Sequence, residues 1–242
     1  MAFDQDSLAR LFGITTNSRT FRPQLEALHS VVEVTGATRY LEIGAFEGRS
    51  AALFCGLVAA SRPSQKIHLT SIDSWVGGDE HQSLSMSMMT VEDTYDEVVR
   101  ECKEWLPHDS CFEKIKSLSV EGLRSISDRK GYYDLVLVDA GHKAKDVLSD
   151  LIHVWPLLRR DGVLILDDYT WIPRHVGESF LPNSPKLGID AFCTCFYDEL
   201  TIISNLPLLQ LYLLKTSPST YSSHYMALAS SPLPLLFEQL DI

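Results

Sequence analysis

Apolar and polar residues follow one another along this chain in blocks that predict strands and helices in turn. Short, continuous apolar runs suit strands that are buried on both faces of a parallel sheet. The predicted strands are Tyr40–Ile43, 66–75, Phe112–Ser117, Leu135–Val138, Val163–Leu166, 200–205 and 209–216.

The segments between these strands carry apolar residues at intervals of three and four, the spacing of a helix with one buried face. The predicted helices are Gln24–Val34, Ser50–Ala60, Thr90–Leu106, 147–158 and Ile189–Glu199, and residues 119–126 predict a helix or a turn. Thr90 and Asp93 have the spacing of a capping box. Arg159–Arg160, before Asp161–Gly162, suit the end of the helix predicted over 147–158. Strands alternating with helices, and then a closing hairpin, predict a single α/β domain over residues 1–242.

Three regions lie outside the repeating α/β pattern. Residues 1–35 predict a helical cap, and the proline-rich residues 172–188 predict a loop that faces the substrate. Residues 77–89, which include Asp79 and His81, have no apolar period and predict a lid loop. An exposed loop that covers hydrophobic surface is an equally good interpretation of that segment.

The composition is that of a globular protein and disfavours several classes of function. With 242 residues, of which 45% are hydrophobic and 22% charged, the chain can form a sizeable core. A net charge of −11 argues against binding to a nucleic-acid backbone. No run approaches the ~18 apolar residues of a membrane span. Five cysteines without a framework spacing predict reduced thiols and a cytoplasmic location. The apolar residues 231–242 suit packing on the domain or on a second subunit of a homo-oligomer.

The stretch Tyr132–Trp171 predicts a strand, a helix and a second strand, with an acid just past each strand. Asp139 follows the first strand, and Asp167–Asp168 follow the second. A right-handed crossover can place the two strands side by side, and open α/β sheets bind ligands at the carboxyl edge. We therefore expect the carboxylates to meet there and to repel unless a proton or a cation lies between them. A hard divalent ion such as Mg²⁺ suits that requirement.

The turn after the first strand carries two glycines. In the stretch from Glu42 to Ser50, Gly44 and Gly48 would let the backbone approach a ligand closely. Their spacing differs from the G-x-G-x-x-G of dinucleotide-binding folds. Glu42 could hold an ammonium group, and Asp73, at the end of the next strand, could accept both hydroxyls of a ribose. An ordinary βα turn and a solvated acid at a strand end are the alternatives.

Together these stretches resemble the class I S-adenosylmethionine (SAM)-dependent methyltransferases over roughly Phe21–Thr216. The segments that carry the resemblance are YLEIGAFEGRSA, SIDSWVGGDEH, SLSVEGL, YYDLVLVDAGHKAKDVLSDL and DGVLILDDYTW. In detail the chain is similar to the branch that includes metal-dependent small-molecule and sugar O-methyltransferases of the macrocin type. The resemblance implies a Rossmann-like, mixed seven-stranded sheet with helices on both faces and an antiparallel hairpin at the C-terminal end.

The resemblance also implies where SAM binds. Glu42, Gly44 and Gly48 would surround its methionine part, Asp73 would hold its ribose, and Ser119–Val120 would lie against its adenine. The full set of predicted cofactor-binding residues is Glu42, Gly44, Gly48, Ser50, Asp73, Ser74, Trp75, Ser119, Val120 and Asp139.

In metal-dependent O-methyltransferases of the macrocin and catechol types, an Asp after the fourth strand and an acidic or amide pair after the fifth bind Mg²⁺. Asp139, Asp167 and Asp168 match these positions. His142 lies where the catechol-type enzymes have a Lys that removes the substrate proton, and imidazole titrates near neutral pH. We therefore predict His142 and Asp139 as catalytic residues. The alternatives are that Asp139 contacts SAM or substrate, that Asp167–Asp168 cap a loop, and that His142 is structural.

The predicted activity is methyl transfer from SAM to a hydroxyl of a small metabolite, assisted by a divalent metal. One alternative is a metal-independent N- or O-methyltransferase on the same fold. A second, from another class, is an NAD-dependent oxidoreductase or a non-catalytic nucleotide-binding module. The methyl acceptor is not specified by these motifs, because one fold serves many acceptors.

Overall fold

The computed structural model of this chain describes residues 5–15, 22–78, 87–171, 182–204, 206 and 209–217. The strands within them are β1 Arg39–Ile43, β2 His68–Asp73, β3 Cys111–Lys116, β4 Tyr133–Val138, β5 Leu158–Leu166, β6 Leu200–Ile202 and β7 Leu211–Lys215. In this described part of the chain they form one seven-stranded sheet in the order β3-β2-β1-β4-β5-β7-β6. The pairs from β3 to β5 are parallel, and the pairs β5-β7 and β7-β6 are antiparallel. The predicted Rossmann-like mixed sheet is therefore confirmed.

Helices cover both faces of the sheet. They are α1 Gln5–Ile14, α2 Arg22–Thr35, α3 Arg49–Ser61, α4 Met88–Trp105, α5 Ser119–Ser125, α6 Ala144–Val154 and α7 Pro185–Cys195. One core includes Val32 of α2 and Phe54 of α3, and the other includes Leu151 of α6 and Phe192 of α7.

Strand β4 lies at the centre of the sheet and is buried along its whole length. Leu135 and Leu137 belong to one core, and Val136 and Val138 belong to the other. Successive side chains of a strand point to opposite faces of the sheet. The continuous apolar run is therefore explained by burial on both faces, as the sequence predicted.

The prediction that Arg159–Arg160 end a helix is wrong. Helix α6 ends at Val154, and both arginines lie in β5. Asp161 has φ 58°, and the pairing of β5 with β4 changes register in this region. An irregularity of this kind lets a polar segment begin a buried strand. It also brings Nε of Arg159 to 2.7 Å from Oδ1 of Asp134, a long-range contact that local helix signals do not show.

Helices α4 and α7 begin earlier than predicted, with consequences for the predicted capping box and loop. The N-cap of α4 is Ser87, whose Oγ accepts a hydrogen bond from the Thr90 hydroxyl at 3.1 Å. Thr90 therefore lies inside the helix, and the predicted capping box of Thr90 and Asp93 is wrong. Helix α7 begins at Pro185. Proline fits the first turn of a helix because the N–H that it lacks has no partner within the helix there. The predicted proline-rich loop is therefore shorter than 172–188.

Asp134, at the amino end of β4, ties three strands together. It accepts hydrogen bonds from the guanidinium groups of Arg39 and Arg159, each at 2.7 Å. The backbone N–H groups of Thr38 and Arg39 donate to it at 3.0 and 2.9 Å. Burial raises the pKa of Asp134, but these hydrogen bonds outweigh it and lower the pKa from 3.8 to about 2. The carboxylate thus stabilises the fold in its ionised form.

Several predicted loop features lie outside the described residues. They are residues 79–86, with Asp79 and His81, residues 172–181, and the C-terminal residues from 218 onward. Among the helices that are described, none has the length and apolar content needed to cross a membrane.

Candidate active site

The parallel strands are extended past their ends by backbone hydrogen bonds, which bring the predicted site residues to one edge. The N–H groups of Gly44, Asp139 and Asp167 donate to the carbonyls of Ile72, Ile43 and Val138 at 2.9, 2.8 and 3.0 Å. The turn after β1, the residue after β4 and the acidic pair after β5 therefore lie side by side. This is the edge at which open α/β sheets bind ligands.

Gly44 is required by the fold itself. Its φ is 88°, and a Cβ atom at this position would lie 1.9 Å from the carbonyl oxygen of Asp139. The close backbone approach that we predicted for a ligand is thus made by the protein's own chain at the end of β4. A side chain at Gly44 would separate that turn from β4, so a substitution there tests the fold rather than ligand binding.

Gly48 is the N-cap of α3 and has φ 79°. A Cβ atom at this position would lie 3.1 Å from the ring of Tyr95 and 3.2 Å from Val98. The left-handed conformation and the close packing of α4 both favour glycine here. Gly48 therefore sets the start of α3 at the carboxyl edge.

Glu42 is buried within β1 and is 0% exposed. Its two carboxylate oxygens accept the hydroxyls of Ser50 at 2.7 Å and Ser71 at 2.5 Å. Burial raises the pKa of Glu42 to about 7, although the hydrogen bonds from Ser71 and Ser50 oppose the rise. Ser50 lies in the first turn of α3 and is half-buried. A ligand at this edge would therefore meet Ser50, with the predicted ammonium-binding carboxylate behind it.

Asp73 ends β2 beside the glycine turn. Its Oδ2 accepts the N–H of Phe46 at 2.9 Å, and its Oδ1 accepts the N–H of Trp75 at 2.7 Å. An ionised carboxylate has about four lone-pair sites, so capacity remains for the hydroxyls of a ribose. The Trp75 ring is 4% exposed and donates its Nε1–H to the Phe46 carbonyl at 2.8 Å. Ser74 accepts the N–H of Val76 at 3.2 Å. Trp75 and Ser74 thus support the turn that holds Asp73.

Three non-glycine residues at this edge have left-handed backbones. Phe46, Trp75 and Asp168 have φ values of 46°, 49° and 55°. Such conformations cost of order 1–3 kcal/mol each and persist where the surrounding structure imposes them, often at ligand sites. Their concentration around Asp73 and Asp139 supports the choice of this edge as the candidate site.

Ser119 and Val120 begin α5 at the same edge. The N–H of Ser117 donates to the carbonyl of Asp73 at 2.9 Å, so the loop before α5 runs beside the end of β2. Ser119 and Val120 are half-buried, and Leu118 is 63% exposed. The residues predicted for a purine base therefore lie next to the residue predicted for its ribose.

The three predicted metal ligands lie together, and their charges repel. Burial, together with the carboxylates of Asp167 and Asp168, raises the pKa of Asp139 well above its ordinary value. Burial and Asp168 likewise raise the pKa of Asp167. Ligand atoms of Asp139, Asp168 and His142 all lie within 4.8 Å of one another. The carboxylate oxygens form a donor set that fits a hard divalent metal, and the imidazole beside them can act as a base.

One carboxylate oxygen of Asp167 already accepts hydrogen bonds from the protein. Its Oδ1 accepts the backbone N–H of Asp168 at 2.9 Å and the side-chain amide of Gln24 at 3.4 Å. The side chain of Gln210 also opposes the rise in the pKa of this carboxylate. His142 therefore joins Asp139 and Asp168 in the compact cluster that we had predicted from three acids. Sequence reasoning missed Gln24 and Gln210 because a single Gln on a helix or in a turn carries no motif.

Asp168 and Trp171 hold His142 at this edge. Its Nε2 lies 2.8 Å from Oδ2 of Asp168. Its ring stacks on Trp171, with the ring centroids 4.5 Å apart and the planes at 30°. Trp171 was also missed, although an aromatic residue shortly after the acidic pair is a usable signal. The imidazole is therefore oriented by a carboxylate and an indole.

A protein-family comparison identifies the chain by this region. The profile of a family described as a methyltransferase domain matches residues 41–169, which is more than half of the chain and contains all the predicted site residues. No curated protein matches the chain.

Solved structures share the fold at low sequence identity. An O-methyltransferase from Bacillus cereus in complex with S-adenosylhomocysteine (SAH) is 16% identical, with a TM-score of 0.60 over 88% of this chain and 92% of that one. The O-methyltransferase TomG of tomaymycin synthesis from Streptomyces achromogenes, in complex with SAM, is 18% identical, with a TM-score of 0.59 over 90% and 92%. The SAH-bound methyltransferase PaMTH1 from Podospora anserina is 14% identical, with a TM-score of 0.61 over 88% and 89%. At these identities the likeness establishes the fold.

Proposed function

Since this chain belongs to the methyltransferase-domain family, we propose that it moves a methyl group from SAM to a hydroxyl of a small molecule with the help of a divalent metal. The observation that carries this proposal is the convergence of Asp139, His142 and Asp168 within 4.8 Å, at the sheet edge that also bears Asp73. The narrower placement in the branch of macrocin-type O-methyltransferases is part of the proposal.

We assign the cofactor to the edge that runs from α3 to α5. The turn from Gly44 to Ser50 takes the methionine end, Asp73 takes the ribose hydroxyls, and Ser119–Val120 take the adenine. SAM, when bound, supplies an electrophilic methyl group. The chain contributes position, and alignment of reactants alone can supply roughly 7–11 kcal/mol of a barrier.

Asp139 and Asp168, with Asp167 beside them, would hold the metal. Mg²⁺ is the first choice for carboxylate oxygens, and a bound metal lowers the pKa of an acceptor hydroxyl. The Nε2 of His142 faces Asp168, so we assign Nδ1 as the atom that takes the hydroxyl proton. Asp168 then stabilises the imidazolium that forms, which is the usual role of a carboxylate behind a catalytic histidine.

The proposed partner is a small-molecule methyl acceptor, since the net charge of −11 disfavours nucleic acid. We also propose a cytoplasmic location and assembly into a homo-oligomer. They rest on the cysteine usage and on the apolar segment 231–242.

Calorimetric titration with SAH tests the proposed function. We expect the wild type to bind SAH and not NAD. Asp73→Ala should weaken SAH binding by about 1.5–3 kcal/mol, the range for a hydrogen bond to a charged group. Because Asp73 also accepts two backbone N–H groups, the melting temperature is measured in parallel. The control is Asp128→Ala, an exposed acid elsewhere. Wild-type affinity in Asp73→Ala, or no SAH binding by the wild type, would contradict the proposal.

A further inference from the structure

A ring of hydrogen bonds joins the loop after β5 to helix α7. The hydroxyl of Tyr169 donates to Oδ1 of Asp190 at 2.9 Å and accepts from Nζ of Lys186 at 2.7 Å. Nζ of Lys186 also donates to Oδ2 of Asp190 at 2.7 Å, and these two residues are one turn apart on α7. The same Nζ lies 4.4 Å from the centre of the Tyr169 ring. Tyr169 is therefore held by two polar side chains of one helix.

The backbone on both sides of Asp168 is also fixed. The N–H of Asp167 donates to the carbonyl of Val138, at the end of β4, at 3.0 Å. The N–H of Tyr169 donates to the carbonyl of Leu209 at 3.0 Å, and its side chain packs against the core that α6 and α7 share. Asp168 lies between them with φ 55°, a left-handed conformation that persists where the surrounding structure imposes it. The contacts of Tyr169 supply one side of that constraint.

Helix α7 is itself fixed against the loop that carries His142. A Cβ atom at Gly188 would lie 2.2 Å from the carbonyl oxygen of Ala144, so α7 packs directly on the first turn of α6. The N–H of Ala144 donates to the carbonyl of Pro182, just before α7, at 3.0 Å. One helix thus contacts the chain shortly after His142 and shortly after Asp168, whose Nε2 and Oδ2 atoms lie 2.8 Å apart.

Stability alone does not account for this ring of hydrogen bonds. The side chains of Lys186 and Asp190 are 44% and 47% exposed, and ion pairs this open to water stabilise a fold only weakly. What the pair does is fix the direction of a tyrosine that directly follows a proposed metal ligand. Groups that orient a metal ligand typically change metal affinity by about 10–100-fold when they are removed.

We infer that Tyr169, held by α7, is a positioning residue for the carboxylate of Asp168. It maintains the left-handed turn that directs this carboxylate towards Asp139 and His142. The tyrosine acts through the backbone and is not itself a ligand of the metal. The inference rests on the proposed function, because it takes Asp168 as a metal ligand.

The test is calorimetric titration of the full-length, metal-free protein with Mn²⁺ alone, a cation that takes the same carboxylate ligands as Mg²⁺. Tyr169→Phe keeps the ring and removes the hydroxyl. It should weaken Mn²⁺ binding roughly tenfold and leave SAH affinity unchanged. Lys186→Met removes the other partner of that hydroxyl and should have the same effect. The double variant should lose no more affinity than either single variant, since the two residues act as one unit.

The matched control is Tyr132→Phe. It also takes a phenol hydroxyl out of a hydrogen bond, to Nδ1 of His68 at 2.7 Å, but at the amino end of the sheet. This control should keep the wild-type affinity for Mn²⁺, whatever happens to its melting temperature. Lys145→Met, which removes an 82% exposed lysine from α6, should also bind Mn²⁺ as the wild type does.

The outcomes separate this inference from the proposed function. A wild type that binds SAH but no Mn²⁺ overturns the metal part of the proposed function and the inference with it. If Tyr169→Phe binds Mn²⁺ as tightly as Tyr132→Phe, the inference alone is overturned. An equal loss of SAH and Mn²⁺ affinity also overturns it, since that pattern indicates a general loss of structure. If Tyr169→Phe does not fold, Lys186→Met decides: wild-type affinity for Mn²⁺ overturns the inference, and a roughly tenfold loss supports it.

Discussion

The two ends of β4 each carry an aspartate, and the two carboxylates lie in opposite surroundings. Asp134 accepts hydrogen bonds from two arginines and two backbone N–H groups, and its pKa falls to about 2. Asp139 is half-buried beside Asp167 and Asp168, and loss of water contact together with these carboxylates raises its pKa well above the ordinary value. Among the described residues, the basic group paired with this acidic cluster is the imidazole of His142.

The difference indicates what each end of the strand does. An acid whose partners come from the protein stabilises the folded state in its charged form. An acid placed among other acids favours the neutral form and gains a charged partner only when a proton or a cation arrives. Evolution tolerates such a site where function requires it, at some cost in stability. The amino end of β4 is therefore structural, and the carboxyl end is the candidate site.

The largest effect that we expect comes from removing His142 at the carboxyl end. His142→Ala should slow single-turnover methyl transfer by ~10²–10⁴, the range for loss of a general base. SAH affinity should stay near the wild-type value, because the imidazole is assigned to the acceptor side. The rate is measured with an acceptor found by screening hydroxylated small molecules against the wild type.

Two further measurements show whether His142 is a base. His142→Lys should keep part of the activity, since an amine can also take the proton. The activity of the wild type should fall in acid as the imidazole becomes protonated, and His142→Ala should lose this acid limb. A His142→Ala protein within a few-fold of the wild-type rate, with the acid limb retained, would leave the metal as the activator of the hydroxyl.

The second prediction concerns metal binding at the same end of the strand. A ligand that binds only the folded state at a hundredfold excess over its dissociation constant adds ~2.7 kcal/mol of stability, which corresponds to a rise of about 5–10 °C in melting temperature for a chain of this size. We expect Mg²⁺ to raise the melting temperature of EDTA-treated protein in this way.

The two ends of β4 provide the variants for this measurement. Asp168→Ala should abolish the rise with Mg²⁺ and keep SAH binding, whereas Asp134→Ala should keep the rise from a lower starting temperature. If neither Mg²⁺ nor Mn²⁺ changes melting or turnover in the wild type, the metal-independent methyltransferase is the better description.

A smaller effect is expected at the amino end. The pKa of Asp134 falls from 3.8 to about 2 on folding, which corresponds to about 2 kcal/mol of stability. Asp134→Ala should lose about this much in urea denaturation at pH 7. The contribution is present above the unfolded pKa near 3.8 and is lost as the pH falls through the folded pKa, so the gap between wild type and variant should close below about pH 4. A gap that stays constant down to pH 2 would contradict the assignment.

The two ends of β4 also differ in how well the sequence predicted them. Apolar runs were enough to predict the sheet, because burial on two faces leaves a direct signal. The acids that follow these runs were enough to predict that the candidate site residues lie at one edge. Arg159 was misassigned to a helix end because its partner Asp134 lies on another strand. Trp75 was predicted to lie near the cofactor, and local sequence could not show that it is packed beneath the turn that it supports.

Local sequence also could not show which side chains contact one another in the acidic cluster. The Oδ1 of Asp167 accepts the amide of Gln24, a residue 143 positions away in the chain. The side chain of His142 reaches Asp168 because the loops after β4 and β5 are adjacent in space. Such side-chain orientations depend on contacts between segments that are far apart in the chain. The spacing of neighbouring residues does not predict these contacts.

The smallest expected effect has the opposite sign to that at Asp134. Asp139→Asn removes one charge from the acidic cluster and keeps the shape of the side chain. The raised pKa of Asp139 means that its contribution to stability is present below the unfolded pKa and is lost as the pH rises through the folded pKa. In EDTA, Asp139→Asn should therefore become more stable than the wild type as the pH rises.

The comparison of Asp139→Asn with Asp134→Asn in urea denaturation separates the two ends of β4 directly. Asp134→Asn should be less stable than the wild type at every pH above about 4, because its arginine partners lose their charged acceptor. Asp139→Asn should gain stability without metal and should lose the stabilisation by Mg²⁺, since an amide is a weaker ligand for a hard cation than a carboxylate. An Asp139→Asn protein that is less stable than the wild type at pH 8 in EDTA would show that the protein itself satisfies this carboxylate. The carboxyl end of β4 would then be as structural as the amino end.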